Sequence, residues 1–555
     1  MLRAAASPSS TSFDPYGKRA RPRFWTREAG RVGPIVLAMA AVLALVLALP
    51  GQTVTTRYLG DLFIALEGAH RVLAGQVPSR NFHTPLGPLA TYVPAAGYWL
   101  SGSFGGAMPV GMALVVAVLA PVMAHVFASR LHPIVALPLA AFLLLVLAVP
   151  MNLGESVTSV SHAKFYNRIG WSALATLLVM YLPTHPEEER REWADVAAAA
   201  VLTLAMLYTK ATYGAVAVGF LAFMLVMPGQ RRWAALALGV VVVSVGVIEL
   251  FWRGTAAHIA DVAQVLRIGG VMRGSAGQIF DHLLTNFADY VFLGLLAVLA
   301  LRATRSLRDA AFYGFCAVAG FLLINQNFQT WGIVAIHAAA AVAAERIVRH
   351  AESAAEPTER GWSTAAGTQL VFIALVLPTI VHCTIPLTLH AVAATARAGD
   401  EIAFPNMKGV RVANLWTPGE YGALTAEVEA VRDGVEDLAR LDPKPARVAA
   451  LDFANPFSAA LGLVPAHGDA AFLQWGRNVD GQHFIAPERL LAGVDIVMEP
   501  KPGAAPAPTT PTGEDPRAGL QAHYGPFIAM HFDLVGESAS WRIHRRRTAA
   551  SPAPR

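Results

Sequence analysis

The chain has 555 residues, of which 55% are apolar and 15% are charged, and its formal net charge is +5. Soluble domains carry about 25% charged residues. This composition, together with a mean hydropathy of +0.46, excludes an ordinary soluble protein and favours many lipid-embedded segments. The small net charge predicts no nucleic-acid partner. The two cysteines, Cys316 and Cys383, lie in apolar segments and predict neither a disulfide framework nor a zinc site.

The first 32 residues are rich in Ser, Pro and Arg and predict a disordered, basic cytoplasmic tail. An apolar run at 33–50 follows, and no Ala-x-Ala cleavage site ends it. We therefore expect an uncleaved first span, oriented by the positive-inside rule with the N-terminus in the cytoplasm.

Apolar runs near the bilayer-crossing length of about 20 residues recur as far as residue 390. They predict about eleven spans, at 33–51, 106–128, 132–150, 168–183, 194–209, 211–228, 233–252, 286–303, 309–324, 330–347 and 367–389. Basic or mixed-charge loops at 183–193, 229–232, 302–308 and 346–366 are expected on the cytoplasmic side. Residues 33–390 would form one transmembrane domain with an outward loop at 52–105.

The apolar stretch 86–101 contains two prolines and is short for a span. The basic loops alternate consistently between the two sides only if this stretch does not cross. We therefore predict an interfacial helix on the outer membrane surface. The alternative is that the stretch crosses and the loop assignments shift.

After the last span the composition becomes less apolar, over residues 391–555. This region contains a helical stretch at 420–440, strand-like runs at 447–453, 494–498 and 541–544, and a Pro/Ala/Thr-rich loop at 500–516. The predicted fold class is thus an α-helical polytopic membrane protein with a small C-terminal extracytoplasmic α/β domain.

The outward loop begins with an amphipathic pattern at 58–74. Asp61 lies on the side opposite the apolar stripe, beside the small residues Ala65 and Gly68 and beside Val72. An acid placed there on a membrane-surface helix would be accessible to a ligand. The alternative is a solvated surface acid.

Fourteen residues separate Asp61 from Gly75, and the runs 78–82 (PSRNF) and 85–88 (PLGP) follow. This order resembles the first extracytoplasmic loop of the GT-C glycosyltransferases, which include protein O-mannosyltransferases, the aminoarabinose transferase and rhizobial lipopolysaccharide core transferases. The resemblance implies a GT-C-like membrane domain, Asp61 as the catalytic general base, and 86–101 as a second juxtamembrane helix. Ser79 and Asn81 stand where the usual step reads Pro-Tyr-x-Asp-Phe, so a second acid is missing from this motif.

The run 207–210 (LYTK) is similar to the Leu-Thr-Lys-Gly step of the same enzymes and implies that Lys210 clamps the donor phosphate. The alternative is that Lys210 snorkels to the interface. The other candidates come from outward-facing loops and span ends. We predict that Lys210, Arg168, Arg267 and Arg273 bind donor phosphate and that Asn81, His83, Asn167 and Gln326 bind substrate. Some relatives hold a divalent metal near the acid, but the sequence predicts no set of metal ligands and leaves a cofactor open.

The function implied is a membrane glycosyltransferase of cell-envelope biogenesis. It would move a sugar from a polyprenyl-phosphate donor to a glycan or lipid acceptor at the outer face of a bacterial inner membrane. The region 391–555 would be periplasmic and would shape the acceptor site or bind a partner. Two alternatives stay open: a polytopic transporter or flippase, although no internal repeat is visible, and an inactive GT-C-like scaffold.

Overall fold

A computed structural model describes residues 24–184, 192–268, 276–325, 333–353, 359–503 and 515–547. These residues are mostly helical and include two small sheets. They confirm the predicted fold class, a helical polytopic membrane protein with an α/β region at its C-terminal end.

The helices that precede the C-terminal region coincide with all of the predicted spans. They are α1 (Phe24–Ala48), α2 (Leu59–Leu73), α3 (Leu89–Ser101), α4 (Phe104–Arg130), α5 (Pro133–Ala148), α6 (Phe165–Val179), α7 (Glu192–Thr209), α8 (Ala211–Leu225), α9 (Arg231–Trp252), α10 (Thr255–Ile268), α11 (Ala276–Thr285), α12 (Phe287–Thr304), α13 (Leu307–Asn325), α14 (Val334–Ser353) and α15 (Glu359–Thr395). Within the described ranges, 7 of them are long and apolar enough to cross a membrane, namely most or all of α1, α4, α7, α9, α12, α13 and α15. The shorter apolar helices α5 and α8 match the predicted spans at 132–150 and 211–228.

The two remaining predicted spans fall on α6 and α14, which do not meet the length and hydropathy of a span. Helix α6 has only 15 residues, and its side chains are buried among the other helices. Helix α14 carries the fully buried Glu345, whose carboxylate pairs with Arg349 at 2.6 Å. The sequence therefore overestimates the number of long apolar helices, because helices buried inside the bundle can be short or can carry paired charges.

Helix α3, predicted as an interfacial helix, has 13 residues and is about 20 Å long, shorter than a bilayer core of about 30 Å. It packs closely on α4, because a Cβ atom at Gly111 would lie 2.5 Å from the carbonyl oxygen of Val93. Its other face leaves Trp99 77% exposed and Leu100 53% exposed. An exposed aromatic and aliphatic face of this kind suits the membrane interface.

The described residues form two sheets, and every strand except β1, which belongs to the first loop, comes from the C-terminal region. Strands β1 (Thr53–Thr55), β2 (Asp400–Glu401) and β3 (Val410–Val412) form one sheet in the order β1-β3-β2. Strands β4 (Val448–Ala450), β5 (Ile496–Pro500), β6 (Phe532–Glu537) and β7 (Trp541–Arg546) form the other in the order β4-β5-β7-β6. Helices α16 (Pro418–Arg440), α17 (Phe457–Leu461), α18 (Pro487–Leu490) and α19 (Pro516–His531) accompany them. The predicted helix and three strands correspond to α16, β4, β5 and β7, whereas most of the predicted loop, 504–514, lies outside the described residues.

Helix α2 is buried on both sides, which contradicts the prediction that the side bearing Ala65 and Gly68 is open. Both residues are buried, and a Cβ atom at Gly68 would lie 2.8 Å from Cγ2 of Thr91 in α3. The prediction was wrong there because periodicity alone does not show that a second apolar helix covers the small residues.

The C-terminal region packs directly on α2. The guanidinium of Arg71 donates two hydrogen bonds to the carboxylate of Asp469, at 2.6 and 2.7 Å, and lies 3.3 Å from Glu67. Glu67 in turn accepts a hydrogen bond from the backbone N–H of Ala459. Because these three charged side chains are at most 5% exposed, the first loop and the C-terminal region are fixed to each other by a buried network.

Candidate active site

The predicted base, Asp61, lies in the first turn of α2. Tyr58 precedes the helix in the left-handed conformation, with φ 58°, which turns the chain out of the preceding strand segment. Asp61 is half-buried, and in the described part of the chain no hydrogen bond is made to its carboxylate. Burial raises its pKa, while the charges of Lys164 and Arg477 act in the opposite direction. A carboxylate of this kind remains available to a ligand and has increased basicity.

The segment between α5 and α6 contributes a cation, Lys164, and a carboxylate, Glu155, whose charges act on Asp61. Lys164 immediately precedes α6 in the left-handed conformation, with φ 52°, and its Nζ lies 5.2 Å from the centre of the Tyr58 ring. The Tyr58 hydroxyl donates to Glu155 at 2.7 Å. Burial lowers the pKa of Lys164, and the charges of Asp61 and Glu155 partly offset that effect.

Lys210 occupies the junction between α7 and α8, at the same end of the bundle as the first loop. The neighbouring Thr209 carbonyl accepts a hydrogen bond from the Gly87 N–H, which ties the two segments together. The Lys210 ammonium donates to Oδ1 of Asn167 at 3.5 Å and lies 5.7 Å from the Tyr166 ring centre. Burial, together with the charges of Arg477 and Lys164, lowers the pKa of Lys210 to about 7.

Arg477 comes from the C-terminal region and connects these groups. It lies in a loop of that region, where its Nη1 donates to Gln474 at 3.1 Å. Its charge lowers the pKa of Asp61 and also that of Lys210, so it is electrostatically close to both. Lys164 and Arg477 thus act on both Asp61 and Lys210, which links the acid and the three cations electrostatically. Such an arrangement is suited to an anion such as a phosphate.

The C-terminal region also brings a carboxylate, Glu427 of α16, to the start of α2. A Cβ atom at Gly60 would lie 3.5 Å from Oε1 of Glu427 and 2.9 Å from the ring of Phe453. Burial, the charge of Asp452 and the charge of Asp61 raise the pKa of Glu427 to about 8, while Arg517 opposes them. A second carboxylate therefore lies next to the start of the helix that carries Asp61.

Two predicted substrate-binding residues use their polar atoms to hold the first loop. The side-chain oxygen of Asn81 accepts from the Val77 N–H at 2.8 Å, which closes a turn. Nδ1 of His83 lies 2.7 Å from Asp261 in α10, and the His83 N–H donates to the Asp469 carbonyl. Both side chains therefore have an architectural role, whereas the third, Asn167, does lie at Lys210.

In the described part of the chain, neither Arg168 nor Arg267 forms an ion pair with Asp61. Arg168 is 1% exposed and turns inward, where its Nη1 donates to the carbonyls of Met151 and Ala163. Its Nη1 thus supports the loop that carries Lys164, while its Nε and Nη2 have no hydrogen-bond partner among the described residues. Arg267 is exposed at the last turn of α10. Arg273 and Gln326 lie outside the described residues.

Among the described residues, no group of three or more His, Cys, Asp or Glu side chains is arranged to hold a metal ion.

Sequence reasoning singled out Lys164 and Tyr166 only as outward-facing residues, and it missed Glu155, Glu427 and Arg477. The last two lie more than 350 residues from Asp61, and no local pattern marks either. Their proximity depends on the packing of the C-terminal region against α2.

Comparison with known proteins gives matches among solved structures. Crystal structures of ArnT from Cupriavidus metallidurans, in the apo state and bound to undecaprenyl phosphate, match this chain with TM-scores of 0.46 and 0.45. Each is 14% identical in sequence, and the match covers 92% of this chain and 97% of that chain. No protein family and no curated protein matches the sequence.

Proposed function

We propose that the protein is a membrane glycosyltransferase that transfers a sugar from a polyprenyl-phosphate donor to a cell-envelope acceptor. The observation that carries the proposal is that Asp61, a carboxylate without a hydrogen bond among the described residues, feels the charges of Lys164 and Arg477, which also act on Lys210. One acid and a group of cations are what this transfer needs at its reacting centre.

In the proposed reaction, Asp61 accepts the proton of an acceptor hydroxyl or amine as that group attacks the anomeric carbon of the donor sugar. The new bond forms on the face opposite the phosphate, and the bond between the anomeric carbon and the phosphate oxygen breaks. Its electron pair leaves with the phosphate. The product therefore has the inverted configuration.

The three cations would stabilise the leaving phosphate, because negative charge develops on it as the bond breaks. Lys210, with its pKa near 7, loses its proton readily in the free protein and is restored to the charged form by an arriving anion. Arg477 supplies a planar guanidinium that can donate two hydrogen bonds to one phosphate. Together they provide a cradle whose charge increases when the donor binds.

The donor's lipid tail would lie in the bilayer among the apolar helices, and its head group would reach the site at their outer ends. We place the site on the outer, periplasmic side of a bacterial inner membrane, with the N-terminus in the cytoplasm. The basic N-terminal tail and the basic loops between spans support this orientation.

Two alternatives make different predictions. A transporter or flippase for a lipid-linked solute would need the cations of the site but not the basicity of Asp61. An inactive scaffold would need neither. The half-buried carboxylate with a raised pKa favours the enzyme, because its desolvation has a cost that transport of an anion does not explain.

The test uses a strain that lacks the gene, complemented with the full-length chain or its variants. Asp61→Asn should lower transfer by about 10²–10⁴-fold, measured as the missing sugar in the mass spectrum of surface glycans and lipids. The purified Asp61→Asn protein should still bind undecaprenyl phosphate. Full restoration of the glycan profile by both Asp61→Asn and Lys210→Ala would refute the proposal.

A further inference from the structure

Gly60 lies against an aromatic ring and a carboxylate of the C-terminal region. A Cβ atom at Gly60 would lie 2.9 Å from Cδ1 and 3.2 Å from Cε1 of Phe453, and 3.5 Å from Oε1 of Glu427. Both side chains are half-buried, so each retains surface that a ligand can reach. The absence of a side chain at Gly60 allows them to approach the backbone directly beside Asp61.

Phe453 is fixed in place by its surroundings. The preceding residue, Asp452, accepts hydrogen bonds from Nε and Nη2 of Arg517 at 3.0 and 2.9 Å, and also from the Phe453 N–H at 2.7 Å. The Phe453 ring packs edge-on against Phe472, with the ring centres 6.1 Å apart. A ring held in this way is a preorganised contact surface.

The charges around Asp61 separate into two groups. The cations Lys164 and Arg477 affect the pKa of Asp61, whereas Glu427 is affected by Asp452, Arg517 and Asp61 itself. Asp61 is thus the group common to a cationic cluster and to a second cluster formed by a carboxylate and an aromatic ring. An attacking group and a leaving group need different surroundings at the reacting carbon, and the contacts at Gly60 place the carboxylate and the ring next to the start of the helix that carries Asp61.

We propose that Phe453 and Glu427 form the acceptor subsite and that the acceptor is a saccharide whose hydroxyl is delivered to Asp61. This inference rests on the proposed glycosyl transfer. The apolar face of a sugar ring packs on an aromatic side chain, and a carboxyl group forms hydrogen bonds with its hydroxyls. Lys164, Lys210 and Arg477 are then left to the donor phosphate.

The protonation state of Glu427 suits a neutral acceptor. With a pKa of about 8, its carboxyl group is mostly protonated at neutral pH, so it can donate one hydrogen bond as well as accept others. Asp61 remains the group that we propose to accept the hydroxyl proton. A neutral Glu427 offers little attraction to a cationic acceptor.

The test compares acceptor-side and donor-side variants in the full-length chain. Glu427→Ala and Phe453→Ala should lower transfer in cells by at least tenfold, measured as loss of the added sugar and accumulation of the lipid-linked donor. The same purified variants should bind undecaprenyl phosphate as the wild type does. Glu427→Gln, which keeps a neutral hydrogen-bonding group, should retain most of the transfer at neutral pH.

The control is Glu436→Gln, because Glu436 is an exposed carboxylate of the same helix and pairs with Arg440 at 3.1 Å. It should leave transfer and lipid binding unchanged. Wild-type transfer by both alanine variants, or a loss of undecaprenyl phosphate binding in them equal to that of Lys210→Ala, would overturn the subsite while leaving the proposed function intact. A loss of transfer in Glu427→Gln equal to that in Glu427→Ala would also overturn the proposed subsite. That result would mean that transfer requires a charged carboxylate at position 427. A wild-type protein that neither binds undecaprenyl phosphate nor alters the glycan would instead refute the proposed function.

Discussion

Both terminal nitrogens of Arg71 donate to the carboxylate of Asp469, at 2.6 and 2.7 Å, across 398 positions of sequence. Removing one partner of a buried ion pair leaves the other charge without compensation. We expect Asp469→Ala to lower the free energy of unfolding by about 3–5 kcal/mol. The thermal unfolding midpoint of the purified protein measures this effect. Arg440→Ala, which removes an exposed pair, should cost less than about 1 kcal/mol, and equal effects of the two variants would contradict the prediction.

Arg477 should contribute to phosphate binding although it belongs to the C-terminal region. A charge-assisted hydrogen bond contributes about 1.5–3 kcal/mol, so Arg477→Gln should weaken undecaprenyl phosphate binding roughly ten- to hundredfold. Affinity measured on the purified protein checks this result. Arg489→Gln, at an exposed arginine of the same region, is the matched control and should bind like the wild type.

Lys210 should make lipid binding depend on pH. Its pKa near 7 means that its positive charge is lost as the pH rises from 6 to 8.5, so affinity for undecaprenyl phosphate should fall over that range. The second ionisation of a phosphomonoester, near pH 6, acts in the opposite direction, so a fall must come from the protein. Lys210→Arg should flatten the profile, because arginine stays charged. A wild-type profile that rises throughout would contradict this prediction.

Gly60 should not tolerate a side chain, whereas Gly422 should. A Cβ atom at Gly60 would lie 2.9 Å from the Phe453 ring, but at Gly422 of α16 nothing lies within 4 Å. Gly60→Ala should therefore lower the unfolding midpoint or displace the ring and reduce transfer. Gly422→Ala should stabilise the helix by up to about 1 kcal/mol. The thermal unfolding midpoints of both variants, measured beside that of the wild type, test this prediction.

The sequence predicted most of the helices and two polar residues at one end of the bundle. Apolar and amphipathic runs predicted the helices of the membrane region except α10 and α11. The motifs pointed to Asp61 and Lys210, which both feel the charges of Lys164 and Arg477, and the catalytic roles of the two residues stay predictions. Both residues lie at the ends of helices on the same side of the bundle. The charges of the loops predict which side of the membrane a helix end faces.

Sequence reasoning failed where helix rotation or distant packing decides the outcome. Arg168 stands at the start of α6, so sidedness predicted an outward cation, but the phase of the helix turns its guanidinium to the carbonyls of Met151 and Ala163. Arg477 and Glu427 have no local signal, because their role depends on a region that follows the last span. Gly68 is covered by α3, because the periodicity within α2 does not show which neighbouring helix packs on the small residues.

The small sheet that pairs β1 with β3 has a consequence for biosynthesis. Thr53–Thr55 follows the first long helix, yet its partner Val410–Val412 is made more than 350 residues later. Every apolar helix must therefore be synthesised before the first loop acquires its partners in the C-terminal region. A chain stopped after α15 would insert into the bilayer with Asp61 and Lys210 present, but without Glu427, Arg477 or the strand that anchors the loop. Assembly of the reaction centre is thus a late, post-insertion event.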